Sequence, residues 1–150
     1  MPKKRAIGFA IRTVFLALAV LLAIEMAAAE DNDLRASVKA PARVAIAPSR
    51  DLSQNTSARI VITVTGFMPS PSGPVEAVVL IPCGPEQREI GRFGIFPQQP
   101  FTAGRNANAQ RFGFAVPDAC KIPSQVTIRV EPSAGDGSGA ELVIGRAEYE

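Results

Sequence analysis

The sequence predicts an all-β protein, an antiparallel β-sandwich of about seven strands. Short runs rich in β-branched and aromatic residues alternate between apolar and polar positions, and turn-forming Gly, Pro, Ser and Asn separate these runs. Downstream of residue 29, no stretch repeats apolar residues at the 3.6-residue period over three turns, which argues against helices between the strands. This spacing is typical of jelly-roll or Greek-key sandwiches.

The first 29 residues have the layout of a secretory signal peptide. A basic start precedes the uncharged run Thr13–Ile24, and small residues at Ala27 and Ala29 suit cleavage by signal peptidase. A membrane anchor is the alternative, but this run is shorter than the roughly 20 residues that a bilayer requires. We therefore expect residues 1–29 to be removed and the chain to be secreted or periplasmic.

Removal of this segment changes the charge of the chain. Four of the 16 basic residues and one of the 14 acidic residues lie in it, so residues 30–150 carry a net charge near −1 instead of +2. No basic stripe remains that would favour nucleic acid or anionic lipid. Residues 30–150 suffice for one domain with a single core, an N-terminal edge strand and loop (30–58) followed by the sandwich core (59–150).

Seven strands are predicted along residues 30–150. The first, Arg35–Ala47, is assigned to a sheet edge because Pro41 has no backbone N–H to donate. The clearest is Arg59–Phe67, which is β-branched and alternates along its whole length. The other five are predicted at Val75–Ile81, Arg88–Phe96, Arg111–Val116, Gln125–Glu131 and Ala140–Glu148.

The segment from Arg88 to Val116 is predicted to form the centre of the core. Phe93, Phe96, Phe112 and Phe114, half of the eight phenylalanines, lie in its two strands and are interpreted as core residues. Phe101 lies in the polar loop between these strands. It is a candidate for contact with a partner, and the alternative is that its ring packs back onto the sandwich.

Two cysteines flank this segment. Export favours a Cys83–Cys120 disulfide, and two free buried thiols are the alternative. In the chain-entropy model, a closed loop of about 38 residues stabilises the fold by about 4 kcal/mol.

The residue types exclude several chemistries. The chain has no histidine, which removes the usual catalytic triads and the commonest ligand of zinc and copper. The cysteines are too far apart for a paired zinc motif. The acidic residues Asp51, Asp118, Asp136 and Glu141 lie in or beside turns and are interpreted as solvated surface charges, not as a glycosidase pair. We therefore assign no catalytic, metal-binding or cofactor-binding residue and expect no enzymatic activity.

Four stretches in sequence order support a family resemblance. REIGRFGIFP (Arg88–Pro97), QRFGFAVPDA (Gln110–Ala119), QVTIRVEPSAG (Gln125–Gly135) and ELVIGRAEYE (Glu141–Glu150) resemble successive strands of the C-terminal β-domain of the tyrosinase, polyphenol oxidase and catechol oxidase family. The resemblance covers about 90 residues, from 59 to 150. In that family the domain is a jelly-roll-like sandwich that shields the mouth of a helical di-copper domain, whose copper ligands are all histidines.

The resemblance implies the shielding module without the oxidase, because this chain has no histidine. We therefore expect a non-catalytic, exported binding or accessory module that caps or stabilises a partner di-copper oxidase. One alternative is a structural or adhesive envelope protein that associates through its sheet edges. Another is a hydrolase with an unrecognised pair of carboxylates.

Overall fold

The computed structural model describes residues 34–48, 58–104, 109–120 and 123–150. Over these residues the chain consists of strands and turns, as the sequence predicts, and it contains no helix that could cross a membrane. They belong to one compact unit, Asp33–Glu150. The predicted signal peptide, residues 1–29, lies outside the described residues.

Nine strands are joined by hydrogen bonds into one mixed sheet that folds over into two layers. The first layer contains β1, β9, β3, β6 and β7, and the second contains β2, β8, β4 and β5. The strands are β1 (Arg35–Ser37), β2 (Ala42–Ala47), β3 (Arg59–Met68), β4 (Val75–Cys83), β5 (Glu86–Phe93), β6 (Phe101–Thr102), β7 (Gln110–Ala115), β8 (Gln125–Pro132) and β9 (Glu141–Tyr149).

Strand β2 connects the two layers. Its first part, Ala42–Ala45, pairs antiparallel with β8, whereas Ile46 and Ala47 pair parallel with β9. The single strand predicted at Arg35–Ala47 is therefore two strands. Pro41 directly precedes β2, where a missing N–H costs no ladder bond, and the chain turns before it.

The core lies between the layers and follows the alternation of the strands. On β3, Ile60, Ile62 and Val64 are fully buried. On β8, the predicted inward positions Val126, Ile128 and Val130 are confirmed, with at most 2% of each side chain exposed. Complete burial of each such side chain stabilises the fold by roughly 1.5–3 kcal/mol, so these two strands supply much of the stability.

Of the four phenylalanines assigned to the core, three contact it and one is exposed. Phe93 is buried, and Phe112 and Phe114 are partly buried and pack against the core. Phe96 is 89% exposed, so its assignment to the core is wrong. Strand β5 ends at Phe93, and Phe96 follows three positions later, a spacing that places two side chains on opposite faces of an extended chain.

The sandwich has two distinct ends. One, which we call the Met68 end, carries the turn 38–41, the β3–β4 loop, the β8–β9 loop and the segment Gly94–Pro100. The other, which we call the disulfide end, carries the β4–β5 hairpin and the segment that follows β7. Two glycines with positive φ, Gly135 and Gly137, allow the tight path of the β8–β9 loop.

Candidate interaction surface

The segment Gly94–Pro100 leads from β5 to β6 and holds Phe96 in solvent. Ile95, directly before Phe96, is 4% exposed and belongs to the core. On the other side of the ring, Gln98 Nε2 donates a hydrogen bond of 3.4 Å to the carbonyl of Val75, at the start of β4. The backbone is therefore anchored on both sides of Phe96.

This arrangement fixes the position of an aromatic ring that the fold leaves unburied. Single exposed apolar residues are common on protein surfaces, so exposure alone does not define a site. An anchored backbone differs from a free loop because fewer conformations are lost when the residue meets a partner. Aromatic rings are also enriched at the centres of protein interfaces.

Two other large apolar side chains are exposed at the Met68 end. Met68, the last residue of β3, is 53% exposed, and Val38, in the turn between β1 and β2, is 37% exposed. An open groove of about 350 Å³ is lined by Met68, Phe101 and Val143 together with polar neighbours. All three of the exposed large apolar side chains among the described residues therefore lie at this end of the sandwich.

The structure places Phe101 in a short strand and not at the tip of a loop. It starts β6 and pairs with Phe67 of β3. Its side chain is partly buried and packs against the core. Of the two positions that the sequence left open for this ring, the structure shows packing onto its own sandwich, and contact of Phe101 with a partner stays a prediction.

Cys83 and Cys120 are joined, as predicted, with an S–S distance of 2.02 Å and a Cα–Cα distance of 4.8 Å. Cys83 ends β4 in the second layer, and Cys120 lies beyond β7 of the first layer. The bond therefore links the two layers at the disulfide end, opposite the end that carries Phe96. Its position indicates a structural role for the disulfide, at the end of the sandwich opposite to Phe96.

Two of the acidic candidates, Asp136 and Glu141, have structural partners. Asp136 accepts hydrogen bonds from the Ser72 hydroxyl, at 2.5 Å, and from the Ser138 backbone N–H, at 2.9 Å; these bonds lower the Asp136 pKa to about 2. Glu141 pairs with Arg35 at 2.5 Å. Asp118 is exposed in the segment after β7, and Asp51 lies outside the described residues.

No group of three His, Cys, Asp or Glu side chains in the described ranges is placed to hold a metal ion. The acidic residues of the described ranges are dispersed over the surface. The Met68-end groove that contains Asp136, of about 470 Å³, is lined by Ser37, Val38 and Lys39 together with residues of the β8–β9 loop and Glu141.

Ion pairs cover the outer faces of both layers. On the second layer, Arg92 lies 2.8 Å from both Glu89 and Glu131, which raises the Arg92 pKa, and its hydrogen bond lowers the pKa of Glu131. On the first layer, Arg111 and Arg146 both pair with Glu148, at 3.2 and 3.3 Å. Opposite charges are interspersed on each face, so neither face has the single sign that steers nucleic acid or anionic lipid.

Two features of the surface therefore stand apart from the balanced charges. One is the anchored, exposed ring of Phe96, and the other is the open groove beside Met68. Comparison of the chain with family models, with curated proteins and with solved structures finds no match, so the resemblance to the tyrosinase C-terminal domain stays a prediction.

Proposed function

We propose that this chain is a non-catalytic, exported binding module that recognises a partner protein through the segment Gly94–Pro100. The observation that carries the proposal is the 89% exposure of Phe96 on a backbone anchored by Ile95 and Gln98. A ring in this position fits an apolar pocket on a partner. It contributes affinity in the complex without a large cost of ordering the loop.

The positions of the other exposed apolar side chains also favour the Met68 end as the surface that binds a partner. Met68 and Val38 are exposed at the same end as Phe96, and polar residues of the adjacent loops lie beside Val38. Interfaces of soluble partners likewise combine exposed apolar side chains with polar neighbours. The outer faces of the two layers carry compensated charges and are less suited to apolar contact.

Export is part of the proposal and has two supports. The first 29 residues have the layout of a signal peptide, and Cys83 is bonded to Cys120, which suits an oxidising compartment. The resemblance to the shielding domain of tyrosinases makes an exported di-copper oxidase the first partner to test. In that complex we assign the contact with the mouth of the active site to Phe96, not to Phe101.

Photo-crosslinking tests the proposal in the exported fraction of the native cells. A photoreactive phenylalanine analogue replaces Phe96 in one sample and the exposed Glu86, at the disulfide end, in a matched control. We expect a discrete adduct from position 96 that excess unlabelled wild-type protein suppresses, and no such adduct from position 86. Equal adducts from both positions, or none that wild-type protein suppresses, would contradict recognition through this segment.

A further inference from the structure

The two cysteines of the disulfide differ in burial. Cys120 is 7% exposed and belongs to the core, whereas Cys83 is only partly buried and packs against the core from outside. Cys83 ends β4 and pairs with Glu86, next to the turn of the β4–β5 hairpin. A molecule in solution therefore meets the disulfide from the Cys83 side.

An open groove of about 450 Å³ lies beside Cys83. Its lining among the described residues is Cys83 together with the range 86–89 of β5, and it does not include Cys120. All four of these β5 residues are exposed, so the groove is accessible from solution. A groove of this volume accommodates a ligand of the size of a small peptide.

This difference in access determines which sulfur a thiol compound can attack. A disulfide is opened by a thiolate that attacks one of its two sulfurs, at a rate that depends on access to that sulfur. At Cys83 the thiolate approaches through the groove, whereas attack on Cys120 requires a charged group to enter the core. Burial also makes Cys120 the poorer leaving group, which slows the exchange but does not make Cys120 more accessible.

We propose that Cys83 is the sulfur through which small thiol compounds open and re-form this disulfide. The incoming thiolate bonds to Cys83 Sγ, the bond between the two cysteines breaks, and its electron pair leaves with Cys120 Sγ, which takes a proton from water. The product is a mixed disulfide at Cys83 and a neutral thiol at Cys120. In the reverse reaction, deprotonated Cys120 attacks Cys83 Sγ and expels the small thiol. The exchange takes place at the disulfide end and does not depend on recognition through Gly94–Pro100.

Other contacts hold the chain on both sides of Cys120 when the disulfide is open. The N–H of Val116 donates to the carbonyl of Ala58 at 2.9 Å, and the Tyr149 hydroxyl donates to the carbonyl of Pro123. These hydrogen bonds fix the chain before and after Cys120 independently of its sulfur. We therefore expect the opened protein to remain folded and to keep Cys120 buried.

The rate at which each thiol reacts with oxidised glutathione tests the proposal. The chain has two cysteines, so Cys120→Ala leaves only the Cys83 thiol and Cys83→Ala leaves only the Cys120 thiol. Both rates are measured at urea concentrations below the onset of unfolding of either variant. We expect Cys120→Ala to react at least about tenfold faster than Cys83→Ala, and the ratio to fall below about threefold in high urea, where burial is lost. Equal rates in the folded variants, or a faster reaction at Cys120, would overturn the proposal.

The wild-type protein gives a second measurement that needs no substitution. The reduced, folded protein is mixed with oxidised glutathione, and acid stops the reaction before the second thiol closes the disulfide. Peptide mapping should find glutathione on Cys83 at least about tenfold more often than on Cys120. Glutathione in equal amounts on both cysteines, or chiefly on Cys120, would contradict exchange through Cys83. Reaction of Cys83 with an oxidised C-x-x-C oxidoreductase but not with glutathione would also overturn the proposal, because the thiol would then belong to a protein.

Discussion

Phe93 stacks on Phe112 across the open side of the sandwich, with ring centroids 4.1 Å apart and an interplanar angle of 20°. Phe93 ends β5, the edge of one layer, and Phe112 lies on β7, the edge of the other. The contact therefore ties together two edge strands that do not pair with each other. Phe114 adds a tilted contact to Phe93, at 6.1 Å between centroids.

Alanine substitution at two phenylalanines three positions apart should destabilise the fold at one position and leave it almost unchanged at the other. Phe93→Ala removes a buried ring and its stacking contact with Phe112, so we expect a loss of about 3–5 kcal/mol in the free energy of unfolding. Phe96→Ala removes an exposed ring and should change it by no more than about 0.5 kcal/mol. Urea unfolding of both variants measures this difference. Similar losses in the two variants would show that Phe96 is packed in solution.

Loss of the disulfide should destabilise the chain without changing its fold. Cys83 and Cys120 are 37 positions apart, and the chain-entropy model assigns about 4 kcal/mol to a loop of this length. We expect the free energy of unfolding of the double variant Cys83→Ala, Cys120→Ala, measured by denaturant unfolding, to be lower by that amount. The wild-type protein, denatured without reductant, should show no free thiol. Reactive thiols in that sample would contradict the pairing.

Thr63 contains a polar atom that the fold leaves unsatisfied. Its side chain is 8% exposed, and Oγ1 has no hydrogen-bond partner among the described residues. A buried, unpaired hydroxyl costs about 1–3 kcal/mol, so Thr63→Val should raise the free energy of unfolding by about 1 kcal/mol. Thr65 provides the control, because its Oγ1 donates to the Val143 carbonyl at 3.4 Å. Thr65→Val should give no gain, and an equal gain in both variants would point to strand propensity instead.

Tyr149 should make the chain sensitive to alkaline pH. Burial raises its pKa from the ordinary 10.0 to about 12, and its hydroxyl donates to the Pro123 carbonyl. Tyr149 loses its proton at a lower pH in the unfolded chain than in the folded one. The stabilisation that its neutral hydroxyl provides is therefore complete below about pH 10 and is lost as the pH rises to about 12. Tyr149 is the only tyrosine, and the chain has no tryptophan, so phenolate absorbance reports this residue alone. An absorbance midpoint near pH 10 in the folded protein would contradict the shift.

Local periodicity predicted most of the strands because burial follows the two-residue repeat of the β-chain. The strands β3, β4, β7, β8 and β9 begin within one residue of the predicted positions. Strand β6 was not predicted, since two residues in a polar segment carry no repeat, and only pairing with β3 defines them. The division of Arg35–Ala47 depends likewise on β8 and β9, which pair with different parts of β2.

The exposed ring shows how far the sequence can identify the candidate site. Phe93 and Phe96 were both assigned to the core because each lies in an apolar run. Their odd spacing carried a signal that one of them faces away from the core. The sequence does not reveal which one, because the end of β5 is set by its pairing with β4, where Phe93 is the last partner, opposite Ala77. For Phe101 the sequence left both exposure and packing open, because polar neighbours conceal its contact with the core.

The affinity of a crosslinked partner for the wild-type chain and for Phe96→Ala tests the central claim most directly. Met68→Ala, at the same end of the sandwich, is the matched control for a general loss of apolar surface. If Phe96 is the anchor of recognition, the dissociation constant should rise at least about tenfold in Phe96→Ala and by clearly less in Met68→Ala, with both variants folded. An unchanged dissociation constant in Phe96→Ala would contradict recognition through Gly94–Pro100.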